Sequence, residues 1–206
     1  MELKDRILQK ANDLFHRYGV RSITMDEIAS QLGVSKKTIY QYYSDKDELV
    51  DRVTAEVIGN AQFNCENLKA GARNAIHEIF QVIDFIRNMF TQMNPAMVFD
   101  LNRFHPKAYN LFLNYKNQFL YQMIKENLER GIREGLYRPE INVEIIVKLR
   151  LEGMLIAFNQ DIFPPSKYNL AEIQQAVIEH FLFGVASLKG YRLILKYQKE
   201  SLKAKK

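Results

Sequence analysis

Between Gly19 and Val50 the helix punctuation is so closely spaced that only a cluster of helices joined by turns can be built from this stretch. Ahead of it, Leu3, Ile7, Leu8, Ala11, Leu14, Phe15 and Tyr18 recur at three- and four-residue steps, an amphipathic helix that Gly19 can close in a left-handed cap. Thr24 then stands three residues before Glu27, Ser35 opens the next run, and Ser44 stands three before Asp47. These are two capping-box patterns and one simple N-cap. Four short helices in the first fifty residues are expected.

Beyond Val50 the texture changes to long helices. Glycine (9) and proline (5) are sparse in the 206 residues, and no period-two alternation persists, so the fold class is all-α. One apolar stripe runs through Ala72, Ile76, Ile79, Phe80, Ile83, Ile86 and Phe90. A second runs from Ala108 through Phe112, Tyr115, Phe119 and Met123 toward Gly131 and Gly135. Asn94-Pro95, His105-Pro106 and Arg138-Pro139 interrupt the chain. Residues 143–160 are apolar on most sides and should be buried on more than one face. Pro164-Pro165 opens a loop, and a last helix is expected from about Leu170 to about Lys199, with a slip at Gly184 or Gly190. The expected domains are 1–50 and 51–206.

Charge gives less than it first offers. The net charge is +5, but residues 1–191 balance 23 Lys/Arg against 23 Asp/Glu, and the excess lies in Arg192–Lys206. Charge total therefore licenses no nucleic-acid reading, which must come from arrangement. Apolar runs such as Met154–Phe158 fall far short of the roughly 20 residues of a membrane span. The start, MELKDRILQK, has no apolar signal region, and Cys65 is a lone cysteine. A cytoplasmic protein with no membrane partner is expected. His16, His77, His105 and His180 have no ligand-type spacing, so neither a metal site nor a cofactor is expected. Cys65 has no nearby histidine and reads as a half-buried packing residue, so an enzyme is not expected.

The chemistry lies in TMDEIASQLGVSKKTIYQYYSDK, Thr24 to Lys46. Two helices flank a short turn holding Gly33, the spacing of a helix-turn-helix. Ile28 and Leu32 face inward, Ala29 permits a close crossing, Val34 plugs the angle and Ser35 caps the second helix. At about 100° per residue with Lys36 at zero, Ile39 and Tyr43 fall near 300° and 340°, and Gln41 near 140°, between Lys37 and Thr38. Lys37, Thr38 and Gln41 should thus enter a major groove, where these side chains can address base edges. Lys36, Tyr40 and Tyr42 flank that face and meet phosphates. Thr24 and Lys46, at two helix starts, would offer backbone N–H groups to phosphates.

This segment is similar to the DNA-binding domain of the TetR family of bacterial transcriptional regulators. The resemblance rests on Thr24, Ile28-Ala29, Gly33-Val34-Ser35, Ile39-Tyr40, Tyr42-Tyr43 and Lys46. It implies that Tyr40, Tyr42 and Lys46 contact phosphates, while Lys36, Lys37, Thr38 and Gln41 lie toward bases or backbone; Tyr42 stands where the family often has histidine. With Thr24 and Ser35 these form the candidate DNA-binding set. The resemblance further implies a larger domain that binds a small molecule and dimerises through its last two helices. Phe80, Met89, Phe90, Met93, Met97, Phe104, Phe112, Phe119, Met123 and Phe158 could line a pocket for a lipophilic or aromatic effector, although a plain core needs the same residues. Ile146, Leu149, Leu155, Val177, Phe181, Val185 and Leu188 are the candidate interface of a homodimer. The expected function is a repressor that binds a near-palindromic double-stranded operator and is released by its effector. The alternatives are a helical small-molecule carrier and a regulator controlled by a protein partner.

Overall fold

The computed structural model describes residues 2–204. Its first helix, α1 (Leu3–Tyr18), buries Ile7, Ala11 and Phe15. Gly19 follows with φ 83° and ψ 153°. The positive φ is the one glycine takes cheaply, but ψ lies outside the left-handed helical cap expected. A Cβ there would stand 3.2 Å from the Asp100 side chain. Next come α2 (Met25–Leu32), with its Thr24–Glu27 capping box complete, and α3 (Lys36–Tyr40), capped by Ser35. Gly33 between them has φ 69° and ψ 29°, the left-handed conformation glycine adopts cheaply.

The fourth helix departs from expectation twice. Its N-cap is Asp45 rather than Ser44, and Glu48 reaches back to the Ser44 N–H at 2.8 Å. Nor is it short: α4 runs Lys46–Ala70 and crosses the expected boundary between residues 50 and 51 without a break. Val53 belongs to the same buried cluster as Ile7, Phe15, Ile28, Ile39 and Tyr43, a cluster that also takes in Leu101 and Ala108. Gly59 lies exposed inside α4 with open space where a Cβ would sit. Gly59→Ala should therefore raise stability by about 0.5–1 kcal/mol, measured as a higher urea midpoint.

The remaining helices are α5 (Ala75–Phe90), α6 (Met97–Phe104), α7 (Pro106–Asn114), α8 (Tyr121–Arg133), α9 (Val143–Ile156), α10 (Leu170–Val185) and α11 (Leu188–Ala204). Helix α6, between the two Asn-Pro and His-Pro breaks, was not legible as an element. A π-helical segment, Tyr115–Leu120, joins α7 to α8. Across it Tyr115 and Phe119 stack with ring centroids 5.6 Å apart, and the buried Lys116 reaches Glu152 of α9 at 2.7 Å. Such π insertions recur at functional sites. The last expected helix is two helices, broken at Ala186-Ser187 between the two glycines.

A polar knot fixes the centre of the larger layer. Tyr137 donates its phenol to Asn127 at 3.1 Å, and Asn127 donates to the Ala75 carbonyl at 3.0 Å. Glu78, whose carboxyl burial pushes up, meets Arg130 at 3.4 Å. Gly131 allows the Tyr137 ring to lie directly on α8, where any side chain would overlap it. Around this knot pack Ile76, Leu128, Val147, Leu151, Leu182 and Ile194. A separate apolar cluster closes the far end of α5 with Phe90, Ala157, Leu170, Ala171 and Ile173.

Candidate nucleic-acid interface

Helix α3 is held at its angle by Ile39, fully buried, and by Tyr43, 2% exposed, whose phenol donates to the Lys4 carbonyl at 3.3 Å. With that side fixed inward, Lys37, Tyr40, Gln41 and Tyr42 are all exposed. Tyr40 and Tyr42 keep 43% and 40% of their surface in solvent, a large aromatic exposure for a domain of this size. Thr38 is half-buried, and its hydroxyl lies 2.8 Å from the Ser35 hydroxyl while Ser35 accepts its backbone N–H at 3.1 Å. The Thr38 hydroxyl and N–H therefore serve the cap. Ser35 is likewise occupied by capping.

Two of the lysines sit differently from their sequence expectation. Lys36 donates to Asp26 on the first turn of α2 at 2.6 Å, an ion pair that holds its pKa above the usual lysine value. An acid thus stands at the edge of the docking face. Lys46 is turned inward and donates to the Val20 carbonyl at 2.6 Å, over the Phe15 ring. Burial depresses its pKa. Its side chain is committed to closing the turn after α1, so a phosphate contact could come only from the backbone at the start of α4. Thr24 is similar: its N–H donates to Glu27 at 2.6 Å and its hydroxyl accepts from the Glu27 N–H. These hydrogen bonds hold the Glu27 carboxyl below its ordinary pKa.

The domain is anchored to the larger layer through a dense junction. The His16 ring meets the Met89 carbonyl at 2.8 Å, and the Asn94 N–H donates to the His16 carbonyl at 2.7 Å. The Arg21 N–H donates to the buried Asp100 at 3.0 Å. On the other side, His105 meets Asp47 at 2.6 Å and Lys107 meets Asp51 at 2.8 Å. These last pairs span an open cleft of about 710 Å³ lined by Asp45, Asp47, Glu48 and Asp51. Its acidic, bridged walls mark a domain junction. None of these partners is legible from local spacing, because all lie more than fifty residues apart.

The ten expected pocket residues do not line one cavity. Met89, Phe90, Met93 and Phe158 gather at the far end of α5, with Phe90 and Phe158 edge to face at 5.7 Å. Phe80 packs on Tyr197 in the central core, and Met97 packs against the N-terminal cluster. Phe104 is surface-exposed beneath Arg21. Phe112 lies against Tyr109, Phe119 lies within the π segment, and the half-buried Met123 follows it in α8. Periodicity reveals which residues are inward, not which interior they enter.

The expected interface residues divide too. Val185 is 2% exposed and belongs to the core of its own chain. Ile146, Leu155, Val177 and Phe181 are half-buried. Leu149 and Leu188 are exposed at 63% and 83%, and Ile145 and Ile156, which sequence reasoning missed, extend the α9 stripe. Helix α9 is thus open along one side in a single chain rather than buried on several faces. Its inner side holds Arg150, 8% exposed and stacked over the Phe181 ring at 5.6 Å. Cys65 is half-buried, with burial pushing its thiol pKa up.

The sequence model of the family described as bacterial regulatory proteins, tetR family, matches residues 7–53, spanning α1 to the start of α4. The HTH-type transcriptional regulator YvaF of Bacillus subtilis is 21% identical, over 88% of this chain and 95% of that protein. The HTH-type transcriptional repressor KstR2 of Mycolicibacterium smegmatis is 20% identical, over 70% of this chain and 72% of its own. A TetR-family regulator structure from Agrobacterium tumefaciens superposes with a TM-score of 0.74 at 16% identity, covering 89% of this chain and 97% of that one. No helix among the described residues is long and apolar enough to cross a membrane.

Proposed function

We propose that this chain, whose residues 7–53 match the tetR family of bacterial regulatory proteins, is a ligand-responsive, DNA-binding transcriptional repressor. The observation that carries this is the exposed set Lys37, Tyr40, Gln41 and Tyr42 on a capped α2–α3 pair, preceded by α1 and a turn that are bonded to the larger helical layer through His16 and Arg21. Lys37 and Gln41 read base edges, and Tyr40 and Tyr42 donate to phosphates. Lys36 joins them by exchanging Asp26 for a phosphate. Thr24, Ser35, Thr38 and Lys46 shape the face, with phosphates approaching the helix starts of α2 and α4. Repression is favoured by the name of the KstR2 relative.

The exposed Ile145, Leu149 and Ile156 of α9, with Leu188 of α11, form the apolar face that a second copy covers. The dimer places its two α3 helices about 34–36 Å apart on a near-palindromic operator. A lipophilic or aromatic effector enters the Met89, Phe90, Met93 and Phe158 cluster. The same turn of α5 carries the Met89 carbonyl that holds His16, so the ligand and α1 bear on one element.

Selection from a random duplex pool at moderate salt tests the reading. A palindromic motif should be enriched; no enrichment would sink it. Gln41→Ala should relax preference at one position of each half-site, costing about 1–3 kcal/mol on the preferred sequence. Tyr40→Phe should weaken all duplexes alike. Lys46→Ala, by contrast, should act through a lower melting temperature, because it frees the Val20 carbonyl.

A further inference from the structure

The inner faces of α9 and α10 bury two polar groups that the chain leaves unmatched. Arg150 is 8% exposed, its NH1 has no hydrogen-bond partner, and it joins no salt bridge among the described residues. Gln174 is fully buried, donating Nε2 to the Met154 carbonyl at 2.8 Å while its Oε1 has no partner. A buried charge without a counter-ion is strongly disfavoured, and native chains ordinarily pair it. Burial alone lowers the Arg150 pKa to about 10, with no neighbouring charge opposing it, so the guanidinium is still a cation at neutral pH. It lies roughly 120° around α9 from the exposed stripe of Ile145, Leu149 and Ile156, off the face proposed for a second copy.

We propose that Arg150 anchors the head group of the effector, and that the effector is an amphipathic monocarboxylic acid. This deepens the ligand-responsive reading and rests on it. A planar guanidinium matches a carboxylate with two parallel hydrogen bonds. One cation calls for one negative charge, and the Phe181 ring beneath it supplies an apolar floor. About one helical turn along α9, beside Met154, Gln174 Oε1 accepts from a hydroxyl or amide N–H of the ligand. One further turn on, Ala157 and Phe158 belong to the apolar cluster that contains Phe90, and the tail lies there. The acid thus bridges the unmatched cation and the end of α5 that is bonded to α1.

The experiment titrates full-length protein by calorimetry with hexanoate, decanoate and 4-phenylbutyrate, each compared with its corresponding alcohol. At least one acid should bind about tenfold or more tightly than its alcohol, the worth of a charge-assisted pair. Arg150→Met should erase that preference and leave alcohol binding in place, and Arg150→Lys should retain part of it, with folding checked by circular dichroism. The proposal is overturned if no acid binds, if acids and alcohols bind alike, or if Arg150→Met keeps the preference. It is equally overturned if Arg150→Met dissociates the dimer while acids still bind. Operator selection is read separately: an acid that binds through Arg150 without releasing selected DNA leaves this site standing and defeats effector-driven release.

Discussion

Gly190→Ala is expected to cost about 2–4 kcal/mol, a fall of roughly 5–15 °C in melting temperature for a chain of this length. A Cβ at Gly190 would collide with the Leu136 carbonyl oxygen and stand 3.0 Å from its carbon. Whether such a contact is tolerated depends on whether the neighbour can move, and this one is pinned. The Leu136 carbonyl accepts from the Ser187 N–H at 2.9 Å, while the Leu136 and Tyr137 N–H groups both donate to the Gly131 carbonyl. The Arg138 N–H donates to the Val185 carbonyl at 2.9 Å, and Ser187 Oγ donates to the Gly135 carbonyl at 2.8 Å. Yielding would break the dock between the α8 exit and the α10–α11 turn and disturb Tyr137, buried against Gly131. Gly59→Ala is the control: the same methyl group in open helix should have the opposite sign. Equal, small effects of the two in urea denaturation would show that the backbone at Leu136 gives way.

The contrast between these glycines shows where sequence reasoning has purchase. Local signals act over three or four residues, so the Thr24 and Ser35 caps, the left-handed Gly33 and the inward pair Ile39 and Tyr43 were all legible. The same signals misplace a boundary when two candidates adjoin: Ser44 and Asp45 can each cap α4, and the Asp45 carboxylate takes the Glu48 N–H at 2.7 Å. Nothing local distinguishes Gly190, packed on a carbonyl, from Gly59 in solvent. The partners of Lys36 and Lys46 stay hidden for the same reason. Their spacing places them near DNA, but their partners, Asp26 and Val20, are set by how α2 and the α1 turn fold back. Arg150 shares the apolar run 143–160 with a second cation, Lys148, so spacing alone did not single it out. Only packing revealed that no carboxylate answers it.

Asp100→Ala is expected to loosen the DNA-binding helices while leaving α10 and α11 intact. Asp100 is 6% exposed and accepts the Arg21 N–H at 3.0 Å. Its charge also favours the charged form of the half-buried Lys46, which in turn holds the Val20 carbonyl. Removing the carboxylate leaves one backbone donor unmatched and leaves Lys46 with only the more weakly acting Asp47 and Glu27 to favour its charge. Together these cost about 2–4 kcal/mol. The loss falls on one junction, so hydrogen exchange of α1 to α3 should accelerate by about tenfold to a hundredfold or more. Exchange in α10 and α11 should not change. Asp100→Asn supplies an acceptor for Arg21 without the charge and should recover part of the protection. Uniform acceleration along the chain would mean that Asp100 supports the whole fold rather than this junction. Under the proposed function, localised loss has a regulatory consequence, because an effector in the larger layer would bear on α3 through this junction and the Met89–His16 contact. With the Asp100 link cut and the Met89–His16 contact left alone, operator affinity should survive while its response to the effector shrinks. That combination separates a coupling residue from one that DNA itself touches.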